Sequence, residues 1–207
     1  MRACLSPFER ENTKRYDNWY ESTEGRQADK LEKDLFLKLV HPKKGETLLD
    51  IGCGTGHFSF WFPNLGLKVT GIDVSLNMLG AALGRLEHKE IKFVRGDAHS
   101  LPFQDKSFDL TVMITTLEFL REPQKAVQEA FRVTRRKVFL GVLNRWSLLS
   151  LRRRLKALFR RSLYQKAKFY SIRELRRLTE NYLPQEAKIL SQKTLKGAFI
   201  GLVADLS

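Results

Sequence analysis

Short apolar runs alternate with amphipathic helical patterns along most of the chain. From Glu46 onward the apolar runs are rich in Val, Ile, Leu and Phe with little alternation, as expected for strands covered on both faces. They predict strands at Thr47–Ile51, Lys68–Ile72, Ile91–Val94, Phe108–Ile114 and Lys137–Leu143. Helices are predicted between them near His57–Phe62, Ser75–Leu86 and Pro123–Thr134. This alternation predicts a parallel α/β sheet.

Both ends of the chain add elements to this alternating region. Helical spacing predicts further helices over Gln27–Val40, Trp146–Leu163 and Ser171–Tyr182. Two final strands are predicted at Glu186–Leu190 and Phe199–Ala204, and the short turn between them favours an antiparallel pair. The fold expected is therefore a single doubly wound α/β domain over residues 1–207. Its mostly parallel sheet has seven strands and ends in an antiparallel hairpin.

Composition places the chain among globular proteins. It has 207 residues, of which 43% are hydrophobic and 29% charged, which suits one domain with its own core. No apolar run approaches the roughly 20 residues that span a bilayer, and Met1–Pro7 lacks a signal-peptide core. Cys4 and Cys53 form no disulfide framework, and no residues have zinc-ligand spacing. We therefore expect a soluble cytoplasmic protein without a metal site.

The net charge of +14 is concentrated in one stretch. Residues 144–177 contain twelve Lys or Arg residues and a single acid, Glu174. Within this stretch, residues 144–170 are predicted to form a basic helical cap, with leucines on one side and Arg152, Arg153 and Arg154 among the residues on the other. Such a helix can bind an anionic membrane surface or RNA, attract an acidic small substrate, or serve only as a structural cap.

The first predicted strand runs directly into a glycine-rich turn. Gly52, Gly54 and Gly56 occupy alternate positions, where glycine permits a tight turn and close approach of a ligand to the backbone. The helix predicted after the turn would present free N–H groups. A G-x-G-x-x-G dinucleotide motif would require glycine at position 57, which is His57. The spacing therefore favours binding of an amino-acid group over binding of a pyrophosphate.

Carboxylates end the next two predicted strands. Asp73 closes the second strand and can accept two hydrogen bonds from a ribose diol. Asp97 follows the third strand and can accept a hydrogen bond from an adenine amino group, while the N–H of Ala98 addresses a ring nitrogen. Ligands of open α/β sheets bind at the carboxyl ends of the strands, where all three residues are expected.

Five segments together resemble the successive motifs of class I S-adenosylmethionine (SAM)-dependent methyltransferases. They are Asp50–Gly56, Gly71–Ser75, Gly96–Ala98, Leu101–Phe103 and Ser107–Asp109. The chain is most similar to the methyltransferase 11 group, which includes the enzymes of ubiquinone and menaquinone biosynthesis. The resemblance covers about residues 46–143 and implies a Rossmann-like fold with SAM as cofactor. One departure is that Arg132–Lys137 lacks the usual Pro-Gly-Gly before the fifth strand.

The resemblance also implies roles for individual residues. The three glycines would contact the methionine moiety of SAM, with Asp50 near its amino group and Thr115 near the same end. Asp73 would hold the ribose, and Asp97 with Ala98 would bind the adenine. The complete set of predicted cofactor-binding residues is Tyr20, Asp50, Gly52, Cys53, Gly54, Gly56, Asp73, Val74, Asp97, Ala98 and Thr115.

An aromatic-rich segment precedes the sheet. It contains Tyr16, Trp19 and Tyr20 and ends at Gly25, which we interpret as a hinge. Related methyltransferases often close their site with a similar segment, so residues 1–45 are predicted to form a helical lid. Trp19 and Tyr20 are its expected contacts with the cofactor. Simple packing of these aromatics on the sheet is the alternative.

The residues at the end of the fourth strand limit the class of methyl acceptor. Met113–Glu118 lacks the Asn/Asp-Pro-Pro-aromatic motif of amino-methylating DNA enzymes and the glutamate pair of protein arginine methyltransferases. Neither cysteine follows a proline, as the nucleophile of cytosine-C5 methyltransferases does. A small-molecule methyltransferase acting by in-line displacement is therefore favoured, and no DNA partner is expected. Glu118 and His57 are placed to serve as bases, but a structural role is favoured for both, so no catalytic residue is assigned. The alternatives are an RNA methyltransferase using residues 144–177 and a non-catalytic SAM-binding protein.

Overall fold

The structure is a computed structural model, and it describes residues 10–86, 90–147, 167–183, 186–194 and 197–207. Seven strands form one sheet: β1 (Thr47–Ile51), β2 (Lys68–Asp73), β3 (Ile91–Arg95), β4 (Phe108–Ile114), β5 (Thr134–Leu143), β6 (Lys188–Lys193) and β7 (Phe199–Asp205). The described α-helices are α1 (Arg10–Glu21), α2 (Thr23–Val40), α3 (Leu76–Leu83), α4 (Pro123–Val133) and α5 (Ile172–Glu180). In these residues no helix combines the length and apolar character needed to cross a bilayer.

The strand order is β3-β2-β1-β4-β5-β7-β6. The first five strands in this order pair in parallel, and β7 runs antiparallel between β5 and β6. Burial explains this placement. Six of the seven residues of β7 are buried, whereas the residues of β6 are exposed or half-buried, as expected for an edge strand. The predicted mixed sheet with an antiparallel hairpin is confirmed. The order reverses between β1 and β4, and a crevice forms at such a switch point.

Each face of the sheet is covered by a separate apolar core. Leu48 of β1 packs in the core that contains Phe36 of α2, whereas the adjacent Leu49 packs in the core that contains Ala126 of α4 and Leu175 of α5. Adjacent strand residues point to opposite faces, so a continuous apolar strand serves both cores. This two-sided burial holds the carboxyl ends of β1, β2 and β4 in fixed positions.

The helix predicted near His57–Phe62 is wrong. Turns follow the glycines and lead into a 3-10 helix at Phe62–Leu65. Pro63 has no N–H to donate and disfavours the helical conformation of the residue before it. Gly66 then adopts a left-handed conformation, with φ of 77°, and ends the segment.

The other differences concern boundaries. The strand predicted at Glu186–Leu190 is shifted to Lys188–Lys193, and the helix predicted at Gln27–Val40 begins earlier, at Thr23. Of the helix predicted at Trp146–Leu163, residues 148–163 lie outside the described residues, as do all three arginines at 152–154.

The expected hinge at Gly25 is wrong. Ser22 caps α2 by accepting a 3.0 Å hydrogen bond from the Gly25 N–H, so Gly25 lies in the first helical turn. A Cβ at this position would lie 1.9 Å from the Trp19 carbonyl oxygen of α1. Glycine is therefore required here by the close approach of two helices, and the corner between α1 and α2 is tightly packed.

We expect Gly25→Ala to destabilise the protein by about 1–3 kcal/mol, because the new methyl group overlaps a backbone oxygen. Gly80→Ala, within α3, is the matched control. Among the described residues no heavy atom lies within 4 Å of a Cβ at Gly80, so alanine should stabilise the helix by about 0.5–1 kcal/mol. Urea unfolding measures both free energies. Stabilisation by both substitutions would contradict the packed corner.

Candidate functional site

A cavity of about 320 Å³ opens at the carboxyl ends of β1, β2, β3 and β4. It is lined by Tyr16, Gly52, Gly54, Ile72, Asp73, Val74, Met78, Gly96, Asp97, Ala98, His99, Ile114, Thr115, Thr116, Phe119, Leu120, Arg121 and Glu122. Seven of the eleven predicted cofactor-binding residues are in this lining: Gly52, Gly54, Asp73, Val74, Asp97, Ala98 and Thr115. The cavity lies at the reversal of strand order, as expected for a ligand site in an open α/β sheet.

The glycine turn forms one side of the cavity. Gly52, Gly54 and Gly56 have φ of 73°, 56° and 81°, a region that residues with a side chain rarely adopt. A Cβ at Gly52 would lie 2.3 Å from the Thr116 side chain, so space excludes any larger residue there. At Gly54, by contrast, the described residues leave a Cβ without a neighbour within 4 Å. The backbone at Gly54 is therefore open to a ligand.

Asp73 connects the glycine turn to the beginning of α3. Its Oδ2 accepts a hydrogen bond of 2.9 Å from the Gly54 N–H, and its Oδ1 accepts one of 2.8 Å from the Ser75 N–H. Burial raises the pKa of Asp73, although these backbone hydrogen bonds act in the opposite direction. Each carboxylate oxygen keeps a second lone pair. The side chain is therefore held rigidly and can still accept hydrogen bonds from a diol.

Asp97 and Ala98 lie at the end of the cavity formed by β3. The Asp97 side chain is 59% exposed, and its Oδ1 is 2.9 Å from the His99 backbone nitrogen and 2.6 Å from His99 Nδ1. Partial burial raises the pKa of Asp97, but the contacts with His99 outweigh this effect and lower it overall. His99 was not predicted; the signal that could have pointed to position 99 is the tendency of an Asp side chain to bond the backbone two residues later.

The end of β4 carries a strained residue. Thr115 has φ of 52°, which is unusual for a β-branched residue, and it lines the cavity. Its N–H donates a 2.8 Å hydrogen bond to the Gly141 carbonyl of β5, which holds it in this conformation. The Thr116 hydroxyl donates to the Ile51 carbonyl at 3.0 Å and so joins β4 to β1. Backbone strain of this kind concentrates at functional sites.

Three other predicted residues lie in or behind the glycine turn and are not among the residues that line the cavity. Asp50 is buried and accepts a 2.6 Å hydrogen bond from the Ser59 hydroxyl. Burial raises the pKa of Asp50 to about 7, and the nearby charge of Asp73 acts in the same direction. Cys53 is buried against β2, and Gly56 is packed against the Phe60 side chain.

The aromatic residue that the predicted lid helices contribute to the cavity wall is Tyr16, whereas Trp19 and Tyr20 were expected. Tyr20 is buried and stacks on His57, with ring centroids 3.7 Å apart, and Trp19 packs edge-on against Tyr20. Tyr16, one helical turn before Tyr20, lines the cavity. Tyr16 belongs to the aromatic segment identified from the sequence, but helical geometry is needed to select it over its neighbours.

The two residues considered as bases have structural contacts. Glu118 is buried, and its Oε1 accepts a 2.6 Å hydrogen bond from the Leu143 N–H at the end of β5. His57 Nε2 lies 2.7 Å from Asp29 Oδ1 of α2. Neither side chain lines the cavity. Their positions support the structural roles favoured by the sequence analysis.

The segment after β4 supplies several lining residues that were not predicted. Phe119 and Leu120 contribute apolar surface, and Arg121 and Glu122 lie exposed at the rim. On the other side, Met78 of α3 adds apolar surface beside Val74. The position of Phe119–Glu122 directly after a parallel strand is the signal that could have identified them.

Comparison with known proteins identifies the domain that carries this cavity. Residues 49–141, which run from β1 to β5, match the family described as "Methyltransferase domain". Over these residues the chain is similar to methyltransferases. The match spans the glycine turn, Asp73, Asp97 and Thr115, and it confirms the SAM-dependent methyltransferase resemblance of the sequence motifs.

Individual relatives agree with this assignment. A demethylmenaquinone methyltransferase of Renibacterium salmoninarum is 41% identical over 101 residues, which are 49% of this chain and 42% of that protein. A malonyl-[acyl-carrier protein] O-methyltransferase of Pectobacterium atrosepticum is 34% identical over 99 residues, or 48% of this chain and 38% of that protein. The chain therefore matches less than half the length of either relative.

A solved structure agrees over nearly the whole chain. A SAM-dependent methyltransferase of Thermotoga maritima superposes with a TM-score of 0.72 and covers 96% of this chain and 97% of its own, at 24% identity. At 24% identity this similarity shows the fold alone. It extends to the elements on both sides of residues 49–141. The predicted Rossmann-like architecture of the methyltransferase is confirmed.

The buried carboxylate of Asp50 predicts a pH dependence of stability. Because its folded-state pKa of about 7 lies above the ordinary Asp value, the folded state holds a proton that the unfolded state releases, and stability falls as pH rises from about 4 to 7. Asp50→Asn removes this ionisation. We expect the free energy of unfolding of the variant, relative to the unmodified protein, to rise by about 2–4 kcal/mol between about pH 5 and pH 8.

The control for this measurement is Asp205→Asn. The pKa of Asp205 is lowered, since hydrogen bonds from Ser207 and Lys137 outweigh its partial burial, so its ionisation affects stability only in more acidic solution. Its stability difference should stay flat over the same range. A flat difference for Asp50→Asn as well would show that Asp50 is ionised normally.

Proposed function

We propose that this methyltransferase transfers the methyl group of SAM to a small-molecule acceptor. The observation that carries the proposal is a single cavity joining the open backbone at Gly54, the rigid carboxylate of Asp73 and the polar end at Asp97. These three places would receive the amino-acid group, the ribose diol and the adenine edge of SAM, in the order in which SAM carries these groups. The matched methyltransferase domain contains all three.

In the proposed complex the chain's own residues bind and orient the cofactor. Gly52, Gly54 and Thr115 would lie against the methionine moiety, Asp73 would accept hydrogen bonds from the ribose, and Asp97 with Ala98 would bind the adenine. Val74 and Met78 supply apolar surface beside the adenine position. Asp50, Cys53, Gly56 and Tyr20 would support the site from behind and make no direct contact with the ligand.

Electrostatics around the glycine turn favour a cationic ligand. Asp50 and Asp73 are both acidic and largely buried, and the charge of Asp73 opposes ionisation of Asp50. A positive ligand in the cavity would stabilise both ionised carboxylates. SAM, when bound, supplies a methyl group already activated on a positively charged sulfonium. The protein's contribution is then mainly to hold the acceptor in line with that methyl group.

The acceptor we favour is a small molecule. The relatives include a demethylmenaquinone methyltransferase and a malonyl-[acyl-carrier protein] O-methyltransferase, so related domains are named for chemically different acceptors. An RNA acceptor and a SAM-binding protein without turnover are the alternatives. Residues 1–45, which include α1 and α2, are proposed to act as a lid, because Tyr16 of α1 already forms part of the cavity wall.

Transfer of label from methyl-tritiated SAM into a cell extract tests this function. We expect label in the metabolite or lipid fraction. Asp73→Ala should bind SAM more weakly by about 1–3 kcal/mol in calorimetry, because hydrogen-bond acceptors in a buried site are lost, and should transfer less label at limiting SAM. Label in the RNA fraction would support the RNA alternative. Binding of SAM with no transfer into any fraction would support the non-catalytic one.

The basic helical cap at residues 144–170 lies mostly outside the described residues, and we propose that it binds an anionic membrane surface. Its leucines recur at helical spacing among Arg152, Arg153, Arg154 and further basic residues. Trp146, near the beginning of this segment, is 77% exposed, and tryptophan is favoured at membrane interfaces. Because the cap follows β5, it would begin beside the carboxyl edge of the sheet.

Binding to vesicles with and without anionic lipid tests this proposal. Changing Arg152, Arg153 and Arg154 to Gln should weaken binding to anionic vesicles by about 3 kcal/mol, from about 1 kcal/mol for each basic residue. The matched control changes the exposed Lys30, Lys38 and Lys43 to Gln, which removes the same charge elsewhere. Equal losses would indicate a net-charge effect. Binding to RNA but not to vesicles, or to neither, would reject the membrane proposal.

A further inference from the structure

Helix α1 is attached to the glycine turn by a partly buried hydrogen bond. The Thr55 hydroxyl donates to Asp17 Oδ1 at 2.6 Å, and Thr55 is fully buried between Gly54 and Gly56. The donor lies within the turn that forms the cavity wall, and the acceptor lies at the middle of α1. A hydroxyl bound to a carboxylate forms a short and comparatively strong hydrogen bond. This contact therefore connects the proposed lid directly to the cofactor site.

The same carboxylate oxygen also reaches the residue that follows α3. Arg85 Nη1 lies 3.5 Å from Asp17 Oδ1, and its guanidinium lies 5.3 Å from the centre of the Phe60 ring. Phe60 in turn packs against Gly56. Asp17 thus joins three parts of the cavity's surroundings: α1, the glycine turn and the end of α3. The Arg85 contact is the weaker one, because that side chain is 47% exposed and screened by solvent.

Tyr16 is the neighbour of Asp17 and lines the cavity. Tyr16 and Asp17 are adjacent on one helix, so the Asp17–Thr55 contact helps to hold the Tyr16 ring, which also packs edge-on against Tyr20, at the cavity. Release of this contact would allow α1 to move away and open the cavity beside Tyr16. The tightly packed corner at Gly25 keeps the carboxyl end of α1 against α2 when this happens, so the movement is confined to the part of α1 before the corner.

We propose that Asp17 is a positioning residue that latches α1 over the bound cofactor through Thr55. The inference rests on the proposed SAM site and adds a mechanism that controls exchange of the cofactor. The latch is too small to hold the fold together, since α1 and α2 also pack through their aromatic residues in the apolar core. It acts on the balance between a closed and an open cavity.

The test measures release of S-adenosylhomocysteine by stopped flow. Asp17→Ala should release it about tenfold faster, the effect of one lost hydrogen bond to a charged group, and should raise the KM for SAM more than it lowers kcat. Alanine forms helices better than aspartate, so a purely structural effect on α1 would strengthen the helix. Asp34→Ala, at an exposed position of α2, is the matched control and should leave both quantities unchanged.

Variants of Thr55 separate the latch from damage to the glycine turn. Thr55→Val should reproduce the faster release, Thr55→Ser should retain the original rate, and the Asp17→Ala/Thr55→Val double variant should be no faster than either single variant. Asp17→Asn keeps the acceptor for Thr55 but loses the charge facing Arg85, so a small effect is expected. Bound S-adenosylhomocysteine should protect α1 from chymotrypsin in the original protein and less in Asp17→Ala.

Two outcomes overturn the latch. The first is release from Asp17→Ala within about twofold of the original rate. The second is full additivity of the Asp17 and Thr55 substitutions, which would show that the two residues act independently. If the unmodified protein binds neither SAM nor S-adenosylhomocysteine, the proposed function fails and this inference fails with it. If it binds them but Asp17→Ala behaves like Asp34→Ala, only the latch fails.

Discussion

The contact between Gly52 and Thr116 is the constraint on which the site depends. The ends of β1 and β4 approach so closely that a methyl group at Gly52 would overlap the Thr116 side chain. Thr116 also donates a hydrogen bond to the carbonyl of Ile51, which locks the two strand ends together. Because the strand order reverses here, the chain leaves β1 and β4 in opposite directions. The cavity is the space opened by that divergence, and Thr115 accepts an unfavourable backbone conformation at its edge.

Charge is arranged around the same turn in two layers. Asp73 faces the cavity, and Asp50 lies behind the glycines, where its side chain accepts a hydrogen bond from the Ser59 hydroxyl. Burial of each acidic group costs free energy, which appears as the raised pKa of both, and the nearby charge of Asp73 adds to the effect at Asp50. A cationic ligand would recover part of this cost. This electrostatic arrangement is part of the case for the proposed binding of the SAM sulfonium here.

The elements around the matched domain complete the site. Residues 49–141 contain the seven cavity-lining residues that were predicted to bind the cofactor. Helices α1 and α2 precede that region, and they contribute Tyr16 to the cavity and the contacts of Asp17 and Asp29 to the glycine turn. These outer elements enclose the proposed cofactor site, and we propose that differences among them distinguish the acceptors of related methyltransferases.

The amino-acid sequence by itself determined the parallel α/β architecture and the cofactor motifs, because both depend on local patterns. Continuous apolar strands, glycines at alternate positions and carboxylates at strand ends are visible without any long-range contact. The sequence also indicated the final hairpin, but burial of both faces of β7 decided that this strand would lie between β5 and β6.

Only the tertiary structure decided which neighbouring residue faces the cavity and which supports it. Tyr16 and Tyr20 differ by one helical turn, yet packing on His57 buries Tyr20 and leaves Tyr16 in the cavity wall. A glycine at position 25 suggests a hinge, but the Trp19 carbonyl occupies the space beside it, and Gly25 is part of a tightly packed corner. Such outcomes depend on atoms that are distant in the chain or on a neighbouring helix, and periodicity carries no information about their positions.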